Sequence, residues 1–94
     1  YSTPEMRLDC NSDEEKFKIA EKAKNYFTTN YECSTIDGVR IKFKDGWGLV
    51  RASNTQPVIV CRFEAKTENR MMEIKNSVME KLNSFGTLYA SVGH

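Results

Sequence analysis

Between two Asp-Gly pairs, Asp37-Gly38 and Asp45-Gly46, the chain runs Val39-Arg40-Ile41-Lys42-Phe43-Lys44, apolar and basic residues in strict alternation. Only a β-strand, whose successive side chains point to opposite faces, turns that pattern into one apolar and one wet face. Asp and Gly both tolerate positive φ, so each pair reads as a tight turn. Trp47 to Ala52 supplies the next strand, and Val58 to Ala65 a longer one in which Ile59, Cys61, Phe63 and Ala65 share a face. The stretch from Tyr31 to Lys66 therefore reads as an antiparallel meander whose apolar face needs a cover.

Two flanking segments have the period to provide it. Asn11 or Ser12 can cap a helix whose first turn carries Asp13, Glu14 and Glu15, negative charge that complements the helix dipole. On a helical wheel Phe17, Ile19, Ala20, Ala23, Tyr26 and Phe27 share roughly half the circumference, with Lys16, Lys18, Glu21 and Lys24 largely opposite. Thr67 caps a second helix with the stripe Met71, Ile74, Val78, Leu82 and Phe85, widened on one flank by Met72 and Met79. Before the first helix, Met6 and Leu8 alternate as in a short strand, and Pro4 keeps Thr3 extended. The expected order is β-α-β-β-β-β-α, an α+β fold with an antiparallel sheet and two helices on one face. Residues 1–4 read as a linker, 5–85 as the folded domain, and 86–94, beyond the helix stop at Gly86, as a flexible tail.

A chain of 94 residues is one domain by length. With 14 basic and 13 acidic residues it has no bulk pull toward nucleic acid or anionic lipid, so an anion site must be local. No apolar run approaches the ~20 residues of a membrane helix, and no secretory leader is visible. Cys10, Cys33 and Cys61 are odd in number and widely spaced, which argues for buried free thiols in a reducing cytoplasm rather than a zinc or redox site. The only histidine is His94, which leaves no imidazole for a Ser-His or Cys-His device.

Chemistry concentrates between the last two strands, in Arg51 to Pro57. Arg51 offers a planar fork of donors suited to two phosphate oxygens. Ser53 and Thr55 add hydroxyls and Asn54 an amide, while Asn tolerates the backbone angles that turn consecutive N–H groups toward an anion. Pro57 has no N–H and closes the loop. In a strand Leu49, Arg51 and Ser53 face one way, placing guanidinium and hydroxyl together. Nothing here is a nucleophile with a base beside it. On residue types alone, a polar hairpin turn with a surface arginine fits equally well.

The strings DGVRIKF, DGWGLVRASNTQP and VIVCRFEAKTE, in that order and after an opening TPEMRLDC, resemble the C-terminal domain of the α-D-phosphohexomutases, in the bacterial phosphomannomutase/phosphoglucomutase branch. The likeness spans roughly residues 3 to 84 and centres on the RASNT-x-P core. It implies a TATA-binding-protein-like fold in which Arg51, Ser53, Asn54 and Thr55 hold the substrate phosphate that is not being transferred. Gln56 receives no role from it. Arg62 adds positive potential or serves as an ordinary strand-surface residue, with the second weighted higher. The resemblance further implies a cytoplasmic mutase that interconverts hexose 1-phosphates and 6-phosphates through a hexose 1,6-bisphosphate. Its phosphoserine, Mg²⁺ loop and sugar-reading loop belong to three preceding domains, whose motifs have no counterpart here. The domain alone is then non-catalytic, with no cofactor of its own, and closes over the cleft by motion near residues 1–4. Two alternatives stay open: a phosphoglucosamine mutase domain, and a non-enzymatic protein- or RNA-binding module using Arg40, Lys42 and Lys44. Near-neutral charge and the lack of paired exposed aromatics argue against RNA.

Overall fold

The computed structural model describes residues 1–36 and 38–90. Its elements are β1 (Met6–Asp9), α1 (Asp13–Asn30), β2 (Cys33–Ser34), β3 (Val39–Phe43), β4 (Gly46–Ala52), β5 (Val58–Ala65), α2 (Glu68–Phe85) and β6 (Tyr89–Ala90). The strands form a single sheet in the order β2-β3-β4-β5-β1-β6, with every neighbouring pair antiparallel.

Alternation sends one set of side chains to a single core. Leu8, Val39, Ile41, Val50, Ile59, Cys61, Phe63 and Ala65 meet Ile19, Ala23 and Phe27 of α1 and Met71, Ile74, Val78 and Leu82 of α2. Each fully buried Ile, Leu or Phe among these contributes about 1.5–3 kcal/mol by leaving water. The helices start where caps were expected: Ser12 Oγ accepts from Glu15 N at 3.1 Å, and Thr67 Oγ1 from Arg70 N at 3.1 Å. The opposite face stays open and carries Arg7, Arg40, Lys42, Trp47, Leu49, Arg51, Arg62 and Glu64 by the same alternation. On it Arg40 lies 4.8 Å over the Trp47 ring, and Trp47 Nε1 donates to Glu64 Oε2 at 3.3 Å. Arg40 and Lys42 themselves are exposed, as a wet strand face requires.

Several expectations need correction. Lys16, expected on the wet side of α1, is 1 % exposed, whereas Phe17, expected in the core, is 58 % exposed. The buried residues of α1 are Lys16, Ile19, Ala23 and Phe27, a stripe at spacings of three and four that excludes position 17. The second turn is centred on Lys44-Asp45, because Gly46 already pairs with Phe43 and Ala65. Gly46 is needed for close approach: a Cβ there would overlap the Glu64 carbonyl and lie 2.9 Å from the Ile74 side chain. At the first turn the expectation holds for Gly38, at φ 74°. Asp37 lies outside the described residues.

At both chain ends, residues expected as a linker and a tail make sheet contacts. Thr3 N donates to Phe63 O at 2.9 Å and Thr3 Oγ1 accepts from Phe63 N at 3.1 Å. Ala65 N donates to Tyr1 O at 2.9 Å, so residues 1–3 run along β5 as an extension of the sheet. Beyond Gly86, Tyr89 and Ala90 pair with Asp9 and Leu8, covering the otherwise free edge of β1. The rest of the expected tail, 91–94, lies outside the described residues.

Arg70 ties the β3–β4 turn to α2 through Nε, which donates to Asp45 Oδ1 at 2.7 Å. That hydrogen bond holds the Asp45 carboxyl below its ordinary value of 3.8. Both side chains are about a third exposed, so solvent screens the pair. Because the folded value is depressed, the stabilisation is full above 3.8 and disappears as pH falls through the folded value. Asp45→Asn should therefore shrink the loss of stability between about pH 5 and about pH 2, measured by urea unfolding.

The three thiols are free: Cys10 and Cys61 are buried and Cys33 is half-buried. Burial pushes the Cys61 thiol up to about 12 and raises Cys10 and Cys33 as well. Since the thiolate is the nucleophile, iodoacetamide should label Cys33 first and Cys61 only after denaturant is added, as read by peptide mass spectrometry.

Candidate functional site

Strands β4 and β5 are paired as far as Ala52 and Ile59, and Ser53 N donates to Val58 O at 2.9 Å to close the hairpin. Ser53 to Pro57 thus form a short loop at one end of the sheet. Pro57 lies inside a tight turn in which Val58 N donates to Gln56 O at 2.8 Å, and its own carbonyl accepts from Cys10 N at 2.7 Å. Proline's fixed φ and missing N–H suit that place. Thr55 N donates to Ser53 Oγ at 3.4 Å, a long local bond that folds the loop tip back on itself. Ser53 is half-buried, whereas Asn54, Thr55 and Gln56 are exposed.

Arg51 enters this loop from the last part of β4. Val50 points into the core, so Arg51 points to the open face, as the alternation expects. Its side chain is 40 % exposed, with Nη2 4.0 Å from Glu5 Oε1. The turn before β3 packs directly against it. A Cβ on Gly38 would lie 2.6 Å from Val50 O and 2.9 Å from Arg51 Cβ, so the absent side chain lets the backbone pass over the arginine. The structure therefore gathers Arg51, Ser53, Asn54 and Thr55 at one corner. Arg62 stands opposite Leu49, exposed on the open face and one step back from Arg51.

Two residues at this corner were not expected from the sequence. Lys16 reaches from the first turn of α1 to the underside of the loop, where Nζ donates to Ser53 O at 2.6 Å and Gln56 O at 3.0 Å. Asp13 Oδ1 lies 3.3 Å from the same ammonium, and the Phe17 ring centroid 4.5 Å away. An unpartnered buried ammonium costs several kcal/mol. Three oxygen partners and an aromatic face offset that cost here. The signal was the spacing Lys16, Ile19, Ala23, Phe27, which is helical and continuous; the residue type hid it. Arg7 is the second, its guanidinium donating to Gln56 Oε1. In register Arg7, Val60 and Arg51 lie side by side across β1, β5 and β4. Val60 between them is 2 % exposed, consistent with arginine stems covering it. Arg7 was legible only as a polar position between Met6 and Leu8.

Beside the loop, between α1 and β4, a groove of about 530 Å³ is lined by Phe17, Ala20, Lys24, Arg51, Ala52 and Asn54 among others. Its polar lining mixes the cations Lys24 and Arg51 with the Glu21 carboxylate and the Asn54 amide. Among the described residues no group of three or more His, Cys, Asp or Glu side chains comes together to hold a metal, and no helix is long and apolar enough to cross a membrane. The corner holds a half-exposed guanidinium, two hydroxyls and an exposed amide, all able to donate hydrogen bonds.

The fold and this corner define a small α+β domain with a polar hairpin loop. The family model described as "Phosphoglucomutase/phosphomannomutase, C-terminal domain" matches residues 5–81. The chain belongs to that family. It is 46% identical over 76 residues to the phosphomannomutase/phosphoglucomutase of Pseudomonas putida, covering 80% of this chain and 16% of that protein. Against the enzyme of the same name from Pseudomonas aeruginosa it is 43% identical, covering 88% of this chain and 18% of the other. A crystal structure of a phosphoglucomutase/phosphomannomutase family protein from Burkholderia thailandensis superposes with a TM-score of 0.71 at 32% identity, over 94% of this chain and 19% of that one. The chain therefore spans less than a fifth of the length of these relatives.

The packing of Gly38 against Arg51 gives a direct test of how the corner is held. Gly38→Ala combines a positive-φ residue with a steric overlap and should destabilise the chain by about 1–3 kcal/mol in urea unfolding. The amide resonances of Arg51 and Asn54 should move more than those of α2.

Proposed function

We propose that this chain is the part of a phosphohexomutase that grips the substrate phosphate remote from the reacting one, through Arg51, Ser53, Asn54 and Thr55. The observation that carries the reading is the placing of one guanidinium at the end of β4 and three neutral donor side chains in the hairpin loop that follows it, in a chain of this family. Arg51 supplies charge and a two-oxygen fork, and the hydroxyls and amide complete a shell around a tetrahedral anion. The shell contains no nucleophile, so the loop binds and positions.

In the whole enzyme, hexose 1-phosphate and 6-phosphate interconvert through a bisphosphate that must present either end to the reacting serine. A clamp that reads the phosphate and ignores its point of attachment serves both orientations. Fixing the remote phosphate also fixes the reacting end, which converts binding energy into positioning. The serine, the sugar-reading loop and the Mg²⁺ site are assigned to the three preceding domains. The described residues of this chain offer no acidic cluster to seat the metal, so no step here runs through it. Closure of this domain over the cleft completes the site and excludes water. Residues 1–3 are hydrogen-bonded to β5, which supports their travelling with the sheet in such a closure.

The sugar is left open by this loop. A probable phosphoglucosamine mutase of Methanosphaera stadtmanae is 35% identical over 88 residues, which keeps that substrate class as the second reading. A phosphate clamp does not distinguish the two.

In the full-length mutase Arg51→Ala should lower kcat/KM by about tenfold to hundredfold, the loss of a charge-assisted contact of roughly 1.5–3 kcal/mol. Both a higher KM and a lower kcat are expected. Kinetics equal to wild type would remove Arg51 from the site.

A further inference from the structure

Lys16 is the most buried charged side chain among the described residues, and its partners are peculiar. Its ammonium is bound by two main-chain carbonyls of the β4–β5 loop, those of Ser53 and Gln56, at 2.6 and 3.0 Å. The carboxylate beside it, Asp13, is 67 % exposed and 3.3 Å away. The ammonium thus belongs to the loop more than to the ion pair. A lysine serving only to cap its own helix would have no reason to cross to residues 53 and 56.

From this geometry we infer that Lys16 is a positioning residue for the phosphate clamp, an inference that rests on the reading of the loop given above. In a trans peptide the C=O and N–H point in opposite directions, and the chain has no cis bond among the described residues. Drawing the Ser53 carbonyl down to Lys16 therefore turns the Asn54 N–H away from α1, toward solvent, where Asn54 is exposed. The Gln56 carbonyl precedes Pro57, so its peptide has no N–H to aim. Holding that oxygen, with Val58 N on it as well at 2.8 Å, instead fixes the far end of the loop. Two of the loop's carbonyls, those of Ser53 and Gln56, are thereby held on the inner side, away from an approaching anion. Lys16 makes the loop outwardly donor-rich.

The ammonium does this without touching the ligand. Buried under the loop, it adds positive potential where solvent screens it less than a surface charge. Its burial also keeps it from competing with Arg51 for phosphate oxygens. One side chain both orients an N–H and biases the local field.

The test uses the isotope-labelled 94-residue chain and inorganic phosphate, followed by backbone amide shifts. Wild type should bind at about millimolar Kd, with shifts at Ser53, Asn54 and Thr55. Lys16→Met should bind about tenfold more weakly, and its Asn54 amide should move even without phosphate, while Val78 and Phe63 in the core stay in place. Unchanged affinity in Lys16→Met, with Arg51→Ala weakened, would overturn the role of Lys16 and leave the clamp standing. No phosphate-dependent shift at the loop in wild type would sink the clamp, and the role of Lys16 with it. Should Lys16→Met fail to fold, the wild-type ammonium decides. Its ¹⁵Nζ signal should exchange slowly and shift on phosphate addition; a fast-exchanging signal indifferent to phosphate overturns the proposal.

Discussion

The sheet sends its main apolar cluster to one face, and everything else in the molecule is arranged around that asymmetry. Because Val39, Ile41, Val50, Ile59, Cys61 and Phe63 all point the same way, both helices must pack on that side, and they meet each other there. The other face needs no cover and can carry arginines. The ends of the strands, where hairpins turn, lie beyond the reach of the core and are free to take polar residues. A donor loop at the β4–β5 end follows from this layout: it sits beside the open face and next to the first turn of α1.

The crossing from α1 to that loop joins fold to site. Helix α1 begins after its cap Ser12 and runs its buried stripe across the sheet, so the first member of the stripe, Lys16, arrives beneath the hairpin loop. An apolar residue there would take away the donor that Lys16 brings to the Ser53 carbonyl and leave the Gln56 carbonyl with Val58 N. A lysine satisfies both, and its long stem spans the distance with little loss of packing. The same position that belongs to the core by period belongs to the loop by chemistry. On the far side Arg7 meets the Gln56 side chain, so the loop is held from both α1 and β1 while its tip, Asn54 and Thr55, stays exposed.

Family membership and this geometry fit one another without either depending on the other. The family match covers residues 5–81 and is indifferent to where Lys16 points. The bonds from Lys16 would be equally present in a chain with no known relatives. On the proposed reading the two tasks are separate: Arg51, Ser53, Asn54 and Thr55 are the groups offered to a ligand, and Lys16, Gly38 and Arg7 are the groups that shape the loop.

Much of this was legible in the chain. Alternation in Val39 to Phe43 and in Val58 to Ala65 settles two strands and their core faces, and Ser12 and Thr67 mark the helix starts, because those signals are local and depend on neighbours within one turn or one pleat. The polar string from Arg51 to Pro57 likewise marks a donor-rich loop, which on residue types alone suits an anion site and a plain polar turn equally well; only the resemblance of the surrounding strings favours the first. What only the tertiary structure decided depends on distant partners. Gly46 is required by Glu64 and Ile74 rather than by a turn, and Gly38 by the closeness of Arg51. Phe17 is left outside, residues 1–3 join β5, and Tyr89–Ala90 pair with β1 over too short a run for any period to show. Lys16 makes the point most sharply. Its spacing places it in the core and its charge argues for water. The conflict is resolved by two carbonyl oxygens 37 and 40 residues further along the chain, which no local pattern contains.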